Sequence, residues 1–517
     1  MLRFSRPSLA FSVLVSLATL LASPSVPRAA AAQQDAVAAA RAYRQAHEVE
    51  ILESFSELLR QPNYGGDLED ITELAGYLKA QFEARGVEVE LLRLPDVPPL
   101  IYGEIMVPGA TRTLGFYVHY DGQPATGRDW INGPYEPVLY SGRMDLGGEP
   151  IGMPVPGGAV EPDWRIYARS ASDDKAPLAA LLAALDALQG AGISLTSNIK
   201  FLFEGEEEIG SPHLGEYIEA YGDKLGVDLW LFCDGPVHQT GAPQIVFGVR
   251  GVTSLDLTVY GPARPLHSGH YGGWAPVPGQ MLAELLASMK DADGNVVVEG
   301  FYDTVVPLGR AEREALERLP VPDEQLRADL GLGWTEGEES LAERLFLPSL
   351  TVKGLASGSV GADARNVIPD RAEAALGLRL VKGNDPEAML DLVEAHIERQ
   401  GFHIVREDPD MVMRARFRKL VKVIRGAGYP AARTDMGLPV VEEVVDAVRA
   451  ATHQTVLMVP ALGGSLPLYL FTENMAAPAL ILPIANHDNN QHASNENIRL
   501  ANLWYGIDLY ASLLTVR

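Results

Sequence analysis

The feature that most constrains the fold is a series of short apolar segments that alternate with helical patterns. Residues 113–120, 199–203 and 229–233 are almost continuously apolar, which is typical of strands buried inside a sheet. Helical patterns lie between them, over residues 175–188 and near 213–221. Strands that alternate with helices in this way predict a doubly wound α/β domain, whose ligand site lies beyond the carboxyl ends of the strands.

The pattern changes after about residue 246. Residues 252–260 and 372–380 alternate between apolar and polar positions, as half-exposed strands do, and residues 278–290 and 386–400 have helical spacing. Farther along the chain, apolar strands and helices like those of the first domain resume. The last of them is a helix predicted from residue 497 onward. We therefore expect an α+β domain inserted into the α/β domain. The predicted divisions are a signal peptide at 1–32, the first domain at 33–246 and 434–517, and the inserted domain at 247–433.

The first residues are predicted to be a secretory signal. Arg3 and Arg6 precede an apolar run over residues 9–21, and alanines at 29–32 provide small residues for cleavage. The apolar run is too short for a comfortable membrane span, although an uncleaved N-terminal anchor is the alternative. We expect a mature chain that starts near residue 33, has no stable membrane insertion, and is periplasmic or secreted.

Charge and cysteine content exclude several classes of partner and site. The sequence has 42 basic and 68 acidic residues, a formal net charge of −26, whereas nucleic acids and anionic lipids select basic surfaces. Cys233 is the one cysteine of the sequence, so neither an internal disulfide nor a cysteine-based zinc site is expected. A metal in this protein must therefore be held by His, Asp and Glu.

Acidic residues and histidines follow several of the predicted strands. They are His119 and Asp121, Asp173 and Asp174 before the 175–188 helix, Glu204 and the following Glu206 to Glu208, Asp234 and, far downstream, His492. Each alone has an ordinary explanation, such as a helix N-cap, a turn former or a solvated acidic face. Charged groups placed directly after buried strands are costly unless something compensates them. Together, the positions predict a carboxylate and imidazole metal site.

The same positions lie in motifs that resemble the M20 metallopeptidases, a family of carnosinase-, dipeptidase-, carboxypeptidase- and aminoacylase-like enzymes. The resemblance runs from about residue 50 to the end of the chain and is closest to the dipeptidase and carnosinase branch. Seven motifs in register carry it: His119-x-Asp121, Ser172-Asp173-Asp174-Lys175, Glu207-Glu208 with Gly210-Ser211, Asp234, Leu266-His267-Ser268-Gly269, Asn366-Val367-Ile368-Pro369 and His492-x-x-Asn495-Glu496.

The resemblance implies a site for two zinc ions, for which manganese or cobalt could substitute. Its residues would act as follows: His119 and Asp234 bind one ion, Glu208 and His492 bind the other, Asp173 bridges both, Asp121 orients His119, and Glu207 is the general base. Two cations roughly 3.5–4 Å apart can acidify a shared water and polarise the scissile carbonyl. A carboxylate that is not a ligand can then take the water's proton.

The resemblance also implies residues that contact the substrate. His267, on the inserted domain, would stabilise the oxyanion, often in the site of a partner subunit, so a homodimer is expected. Asn366 and Arg379 would grip the tetrahedral intermediate and the substrate carboxylate, for which a guanidinium fork is suited. Gly464 and Ser465 match a loop near the substrate tail. The inserted domain would then be the lid and dimerisation domain of a metallohydrolase.

Several features depart from the family pattern, among them Ala168-Arg169-Ser170 before the aspartates and Lys175-Ala176 after them, where the family usually has glycines. Gln491 stands where a small residue usually precedes the last histidine, and His487 lies close enough in sequence to compete as a ligand. A Gly/Pro-rich excursion over residues 141–163 is longer than expected and is a candidate for reshaping the pocket rim. These departures concern the substrate more than the metal site.

We expect an exported dinuclear zinc exopeptidase that hydrolyses dipeptides or short peptides. The alternative on the same scaffold is a deacylase that releases an amino acid from an N-acyl amino acid; the mechanism is the same, and the sequence leaves the two open. Less favoured is a non-catalytic periplasmic binding protein, which fits two lobes and a signal peptide. A structural or adhesion role leaves the ordered ligand series unexplained.

Overall fold

The computed structural model describes residues 28–125, 129–320, 323–464 and 466–517. Most of the predicted signal peptide lies outside these ranges, and the described part begins at Arg28, where the first helix begins. Ser465 also lies outside them. Within the described residues, no helix combines the length and the apolarity that crossing a membrane requires.

The secondary structure alternates along most of the chain. The helices are α1 (Arg28–Leu59), α2 (Leu68–Glu83), α3 (Lys175–Ala191), α4 (Leu214–Leu225), α5 (Ser268–Tyr271), α6 (Pro278–Ala287), α7 (Arg310–Leu316), α8 (Asp323–Asp329), α9 (Leu341–Arg344), α10 (Pro386–Arg399), α11 (Met411–Arg416), α12 (Pro439–Ala451) and α13 (Leu500–Leu513). The strands are β1 (Glu88–Leu92), β2 (Leu100–Ile105), β3 (Thr113–His119), β4 (Val138–Tyr140), β5 (Pro150–Ile151), β6 (Arg165–Tyr167), β7 (Asn198–Glu204), β8 (Leu229–Phe232), β9 (Gln244–Val246), β10 (Gly248–Val249), β11 (Gly251–Tyr260), β12 (Leu266–His267), β13 (Ser349–Ala356), β14 (Val367–Ile368), β15 (Arg371–Leu380), β16 (His403–Val405), β17 (Leu420–Arg425), β18 (Ala432–Arg433), β19 (Leu457–Val459), β20 (Ala479–Ile481) and β21 (Asn497–Arg499).

An eight-stranded mixed sheet forms the centre of the first domain, in the order β1-β2-β7-β3-β8-β20-β9-β19. The neighbours β7, β3, β8 and β20 run parallel. Helices α1, α2, α3, α12 and α13 contribute to the hydrophobic core on one face, and α4 contributes to a second core on the other. The arrangement confirms the predicted doubly wound α/β class. Strand β20 comes from the last part of the chain, yet it lies inside the sheet, between β8 and β9.

Strands β3 and β8 are apolar on both sides because each side faces a different core. Phe116 and Val118 belong to one core and Tyr117 to the other. Gly115 has no side chain because a Cβ there would collide with the indole ring of Trp230 on β8. Since neighbouring parallel strands end at the same edge of a sheet, the residues that follow β3, β7 and β8 are brought together.

The second domain is built on a five-stranded sheet in the order β13-β15-β11-β17-β16. All its strands come from residues 251–425, which fall within the range predicted for the inserted domain. One face packs against α6 and α10 around the third hydrophobic core. On the edge strand β13, the residues from Thr351 to Ala356 are exposed. The strand pairs of this sheet are antiparallel except for β16 and β17, which run parallel. A mainly antiparallel sheet with helices on one face is the expected α+β arrangement.

The end of the chain differs from the sequence prediction in one respect. Helix α13 begins at Leu500 and not at Asn497, because Asn497–Arg499 form strand β21, which pairs antiparallel with β6. Strands β21, β6, β4 and β5 make a separate four-stranded sheet. The 141–163 excursion therefore joins the segment around His492 through β5 and its neighbours, whereas the sequence predicts a surface excursion only.

Candidate active site

His119 lies at the end of β3 with its imidazole fully buried. Its Nε2 is 2.8 Å from Asp173 Oδ1, and its Nδ1 is 3.2 Å from the backbone carbonyl oxygen of Asp121 and 3.4 Å from Asp121 Oδ1. A histidine that binds a metal through one ring nitrogen needs the other nitrogen held by an acceptor. Asp121 therefore lies beside the ring nitrogen that faces away from Asp173, and its orienting role stays a prediction.

Asp121 also holds the turn that carries Glu207 and Glu208. Its two carboxylate oxygens accept hydrogen bonds from the backbone N–H of Glu207 at 3.2 Å and of Glu208 at 3.1 Å. The turn is a short 3-10 helix that ends at Gly210, whose φ of 91° lies in the left-handed region that favours glycine. Strand β7 and Asp121 together fix where the two glutamates leave the sheet.

Asp173 lies between the two predicted metal positions. Its Oδ1 faces His119, and its Oδ2 is 3.1 Å from His492 Nε2. The same His492 nitrogen is 3.1 Å from Glu208 Oε2. The peptide bond between Asp173 and Asp174 is cis. One carboxylate with an oxygen toward each histidine is the geometry that a bridging ligand needs.

The potential ligand atoms form two groups, within each of which they lie within 4.8 Å of one another. One contains His119, Asp174 and Asp234, and the other contains Asp173, Glu208 and His492. All five predicted ligands are thus brought together, and Asp174 is added to them. Within the described residues, neither carboxylate oxygen of buried Asp174 has a hydrogen-bond partner. The motif contained Asp174, but nothing in the sequence distinguished it from Asp173 as a second inward-facing acid.

The electrostatics of the cluster show a surplus of negative charge. Burial, reinforced by Asp173, raises the pKa of Asp234 to about 7. Burial also raises the pKa of Glu207 well above its usual range, although His119 opposes the shift. Hydrogen bonds with Asp173 and Glu208 raise the pKa of His492 to about 10. Carboxylates that burial pushes toward protonation are stabilised in their charged form by a cation, so this donor set fits divalent metal ions.

Glu496 holds the backbone that precedes the bridging aspartate. The side chain is fully buried and accepts hydrogen bonds from the N–H groups of Ser170, Ser172 and Asp173 at 2.9, 2.9 and 3.0 Å. It also accepts from Arg169 Nη1 at 2.8 Å. Glu496 lies in the last of the family-like motifs, but the sequence predicted no role for it. In the sequence, Glu496 stands among asparagines. That local pattern does not predict hydrogen-bond partners more than 300 residues away in the chain.

The predicted substrate residues lie on other elements. His267 lies on β12, which pairs with β14, and Asn366 directly precedes β14. The carbonyl oxygen of Asn366 accepts a hydrogen bond from the N–H of Ser268 at 2.9 Å, and both His267 and Asn366 are exposed. Arg379 is exposed on β15. Gly464 is exposed, and its carbonyl accepts from the N–H of Arg250 at 3.0 Å. None of these residues belongs to either ligand group, and Ser465 is outside the described residues.

An open cavity of about 230 Å³ adjoins the cluster. Its wall includes Glu207, Glu208 and His492 on one side and Tyr429 and Tyr469 on the other. A larger cavity of about 610 Å³ lies beside Arg250 and contains none of the predicted ligands. His487, the competing histidine of the sequence analysis, is exposed and belongs to neither ligand group. The smaller cavity is therefore where a substrate can reach the acids.

Comparisons with known proteins agree with this geometry. A family model described as Peptidase family M20/M25/M40 matches residues 115–516. The Beta-Ala-His dipeptidase of Homo sapiens is 28% identical, over 87% of this chain and 85% of its own length. The Cys-Gly metallodipeptidase dug1 of Schizosaccharomyces pombe is 24% identical, over 86% and 89%. Among solved structures, the M20 family metallo-carboxypeptidase Sso-CP2 from Sulfolobus solfataricus is 29% identical with a TM-score of 0.72, over 90% of this chain and 99% of that one.

Proposed function

Because this chain belongs to Peptidase family M20/M25/M40 and is a metal-dependent hydrolase, we propose that it is a dinuclear zinc exopeptidase that hydrolyses dipeptides or short peptides. The observation that carries the proposal is Asp173, with one oxygen facing His119 and the other facing His492. The named activities of the relatives, a Beta-Ala-His dipeptidase and a Cys-Gly metallodipeptidase, support small peptides as substrates.

Two metal ions would be held by the two ligand groups. His119 and Asp234 would hold one ion, Glu208 and His492 the other, and Asp173 both. The fit rests on the donor chemistry: the unpartnered carboxylate of Asp174 and the raised pKa of Asp234 both mark negative charge that a cation would stabilise. When bound, such a pair of ions acidifies a shared water and polarises the scissile carbonyl.

Glu207 would move the proton in this reaction. Its neighbour Glu208 faces His492, which leaves the Glu207 carboxyl beside the cluster without a ligand role. A general base works best when its pKa is near the working pH, and burial raises the pKa of Glu207 in that direction. Glu207 would accept the proton of the attacking water and return it to the leaving amine.

The exposed second domain would complete the site. Arg379 would bind the free carboxylate of the substrate through its guanidinium fork, which limits the enzyme to chain ends. Among the described residues, no strand pairs with the outer edge of β13. This exposed edge and the exposed ribbon of β12 and β14 support a homodimer in which His267 reaches the partner's site. Mixing His267→Ala with Glu207→Gln chains tests this, because a shared site would regain activity in the mixed dimer.

The deciding experiment measures metal content and substrate range on the purified mature chain. We expect about two metal ions per chain and faster hydrolysis of dipeptides than of N-acyl amino acids. Faster release from N-acyl amino acids would assign the chain to the deacylase alternative. A chain that binds no metal and hydrolyses neither class would refute the proposal. Export is part of the proposal as well, and N-terminal sequencing of the protein from its native cell tests for cleavage near residue 32.

A further inference from the structure

The position of His492 depends on the backbone of its loop. The imidazole is about half exposed, at 53%, so few packing contacts hold it. Three residues of the loop that are not glycine, Asn490, His492 and Asn495, have φ values of 58°, 62° and 62°. Side chains adopt this left-handed region only at a cost, so surrounding contacts must maintain it. Whatever anchors this loop therefore sets where His492 meets Asp173 and Glu208.

Asp488 is the charged anchor of the loop. Its Oδ2 accepts a hydrogen bond from Arg165 Nη2 at 2.8 Å and is 3.1 Å from Arg143 Nη1. Its Oδ1 accepts from Asn486 Nδ2 at 2.9 Å. The Arg165 side chain is only 7% exposed, and its Nη1 donates to Asn497 Oδ1 at 2.8 Å, on the far side of His492. Asp488 and Arg165 thus tie both ends of the loop to strand β6.

Arg143 connects the 141–163 excursion to Asp488. The excursion leaves β4, turns through Met144–Leu146 and returns through β5, which pairs with β4. At its other end, Asp163 accepts a hydrogen bond from Arg499 Nε at 2.8 Å. The excursion therefore contacts the chain on both sides of His492, although it lines no part of the cavity at the ligand cluster.

We propose that Arg143 and Arg165, acting through Asp488, are positioning residues that hold His492 in the metal site, and that the 141–163 excursion is a brace for this ligand. The proposal rests on the proposed two-metal function. It assigns the brace to one of the two ions, because the contacts of Asp488, Arg143 and Arg165 given above include neither His119, at the end of β3, nor Asp234, which follows β8.

The test is a calorimetric titration of the metal-free chain with zinc. For Asp488→Asn and Arg143→Gln we expect one of the two zinc equivalents to bind about 10–100-fold more weakly, the usual effect of removing a partner that orients a ligand. The other equivalent should stay unchanged. His492→Ala serves as the reference for a chain with this ligand removed. Asp145→Asn is the matched control, because Asp145 is the other partner of Arg143 but does not contact the loop.

The double variant sharpens the test. If Arg143 acts through Asp488, the double variant Asp488→Asn with Arg143→Gln should bind zinc no more weakly than Asp488→Asn alone. Arg143 is 37% exposed, so its replacement remains informative if the Asp488 variant fails to fold. Native affinity for both equivalents in the Arg143 variant, or equal weakening of both, would overturn the brace. A parent chain that takes up fewer than two ions would remove the proposed function, and the brace with it.

Discussion

Replacing Glu496 by glutamine should strongly destabilise the first domain. The carboxylate is fully buried, and every partner donates to it: Arg169, Ser170, Ser172 through both N–H and hydroxyl, and Asp173. One oxygen receives three of these hydrogen bonds and the other receives two. A glutamine side chain has one acceptor and one donor group, so it cannot satisfy this arrangement in either orientation.

The magnitude follows from the donors left facing an amide. If the NH₂ group replaces the oxygen near Arg169, the guanidinium and the N–H of Ser170 both lose their acceptor. If it replaces the other oxygen, the N–H groups of Ser172 and Asp173 do. Two buried donors without partners cost about 1–3 kcal/mol each. The Arg169 side chain, 4% exposed, also loses its negative partner, and breaking a buried ion pair costs about 3–5 kcal/mol. We expect a loss of about 3–5 kcal/mol in the free energy of unfolding.

Urea unfolding of the metal-free chain measures this loss. The matched control is Ser172→Ala, which removes the hydroxyl hydrogen bond to the Glu496 carboxylate and leaves the four other donors in place, so it should cost only about 1.5 kcal/mol. Since Glu496 holds the N–H of Asp173, zinc affinity should fall together with stability. The reasoning is refuted if Glu496→Gln unfolds at the same urea concentration as Ser172→Ala.

Three further outcomes are expected. Glu207→Gln should lower kcat by about 10²–10⁴-fold while zinc stoichiometry and unfolding stay at parent values, as measured by steady-state kinetics and metal analysis. Dialysis against a chelator should abolish hydrolysis, and zinc, cobalt or manganese should restore it. In the second domain, burial alone would raise the pKa of Glu394, but Arg406 and Arg425 hold it at about 2, below the ordinary 4.5. The stability from this clamp is therefore complete above about pH 4.5 and is lost as the pH falls toward 2. Glu394→Gln should cost about 1–3 kcal/mol at pH 7 in urea unfolding.

Neighbouring glutamates provide controls for two of these variants. Glu206, next to Glu207, pairs with His213 at 2.9 Å, so Glu206→Gln should keep kcat within a few-fold of the parent. Glu387 contacts the same Arg425 but is 69% exposed, so Glu387→Gln should change stability by less than about 0.5 kcal/mol. Equal losses for Glu207→Gln and Glu206→Gln would argue against Glu207 as the base, and a Glu394 variant as stable as the Glu387 variant would contradict the clamp.

The sequence predicted the fold class and the grouping of the ligands because both follow from local patterns. Strands such as β3 and β8 are apolar on both sides, and parallel strands share one carboxyl edge, so His119 and Asp234 were expected to meet. His492 was also a candidate from its residue type, but no local pattern connects it to β3, so its assignment to the second ion came from the motif resemblance. The contacts of the loop around His492 could not be predicted from the sequence. Pairs such as Asp488 with Arg143 form only in the folded protein, between residues far apart in the chain.

The details that the sequence did not predict depend on tertiary partners. Helix α13 begins three residues later than expected because Asn497–Arg499 pair with β6, and the helical pattern gave no sign of that partner. The sequence alone did not distinguish Asp174 from Asp173 as a candidate ligand. The structure shows that each of the two side chains lies near a histidine of the site. His267 is exposed on a two-residue strand, which is too short to show a periodicity, so a role for it required the family resemblance.

The interior position of β20 has a consequence for how the protein is made. A chain still in synthesis, or one cut before residue 479, would hold the remaining strands of the first domain with a gap between β8 and β9. Two bare strand edges in the middle of a sheet are sticky templates for other polypeptides. Growth of the chain would thus keep this domain open until its final segment closed the gap, and the same segment would deliver His492. Premature termination of translation should therefore yield aggregates rather than a smaller, partly active enzyme.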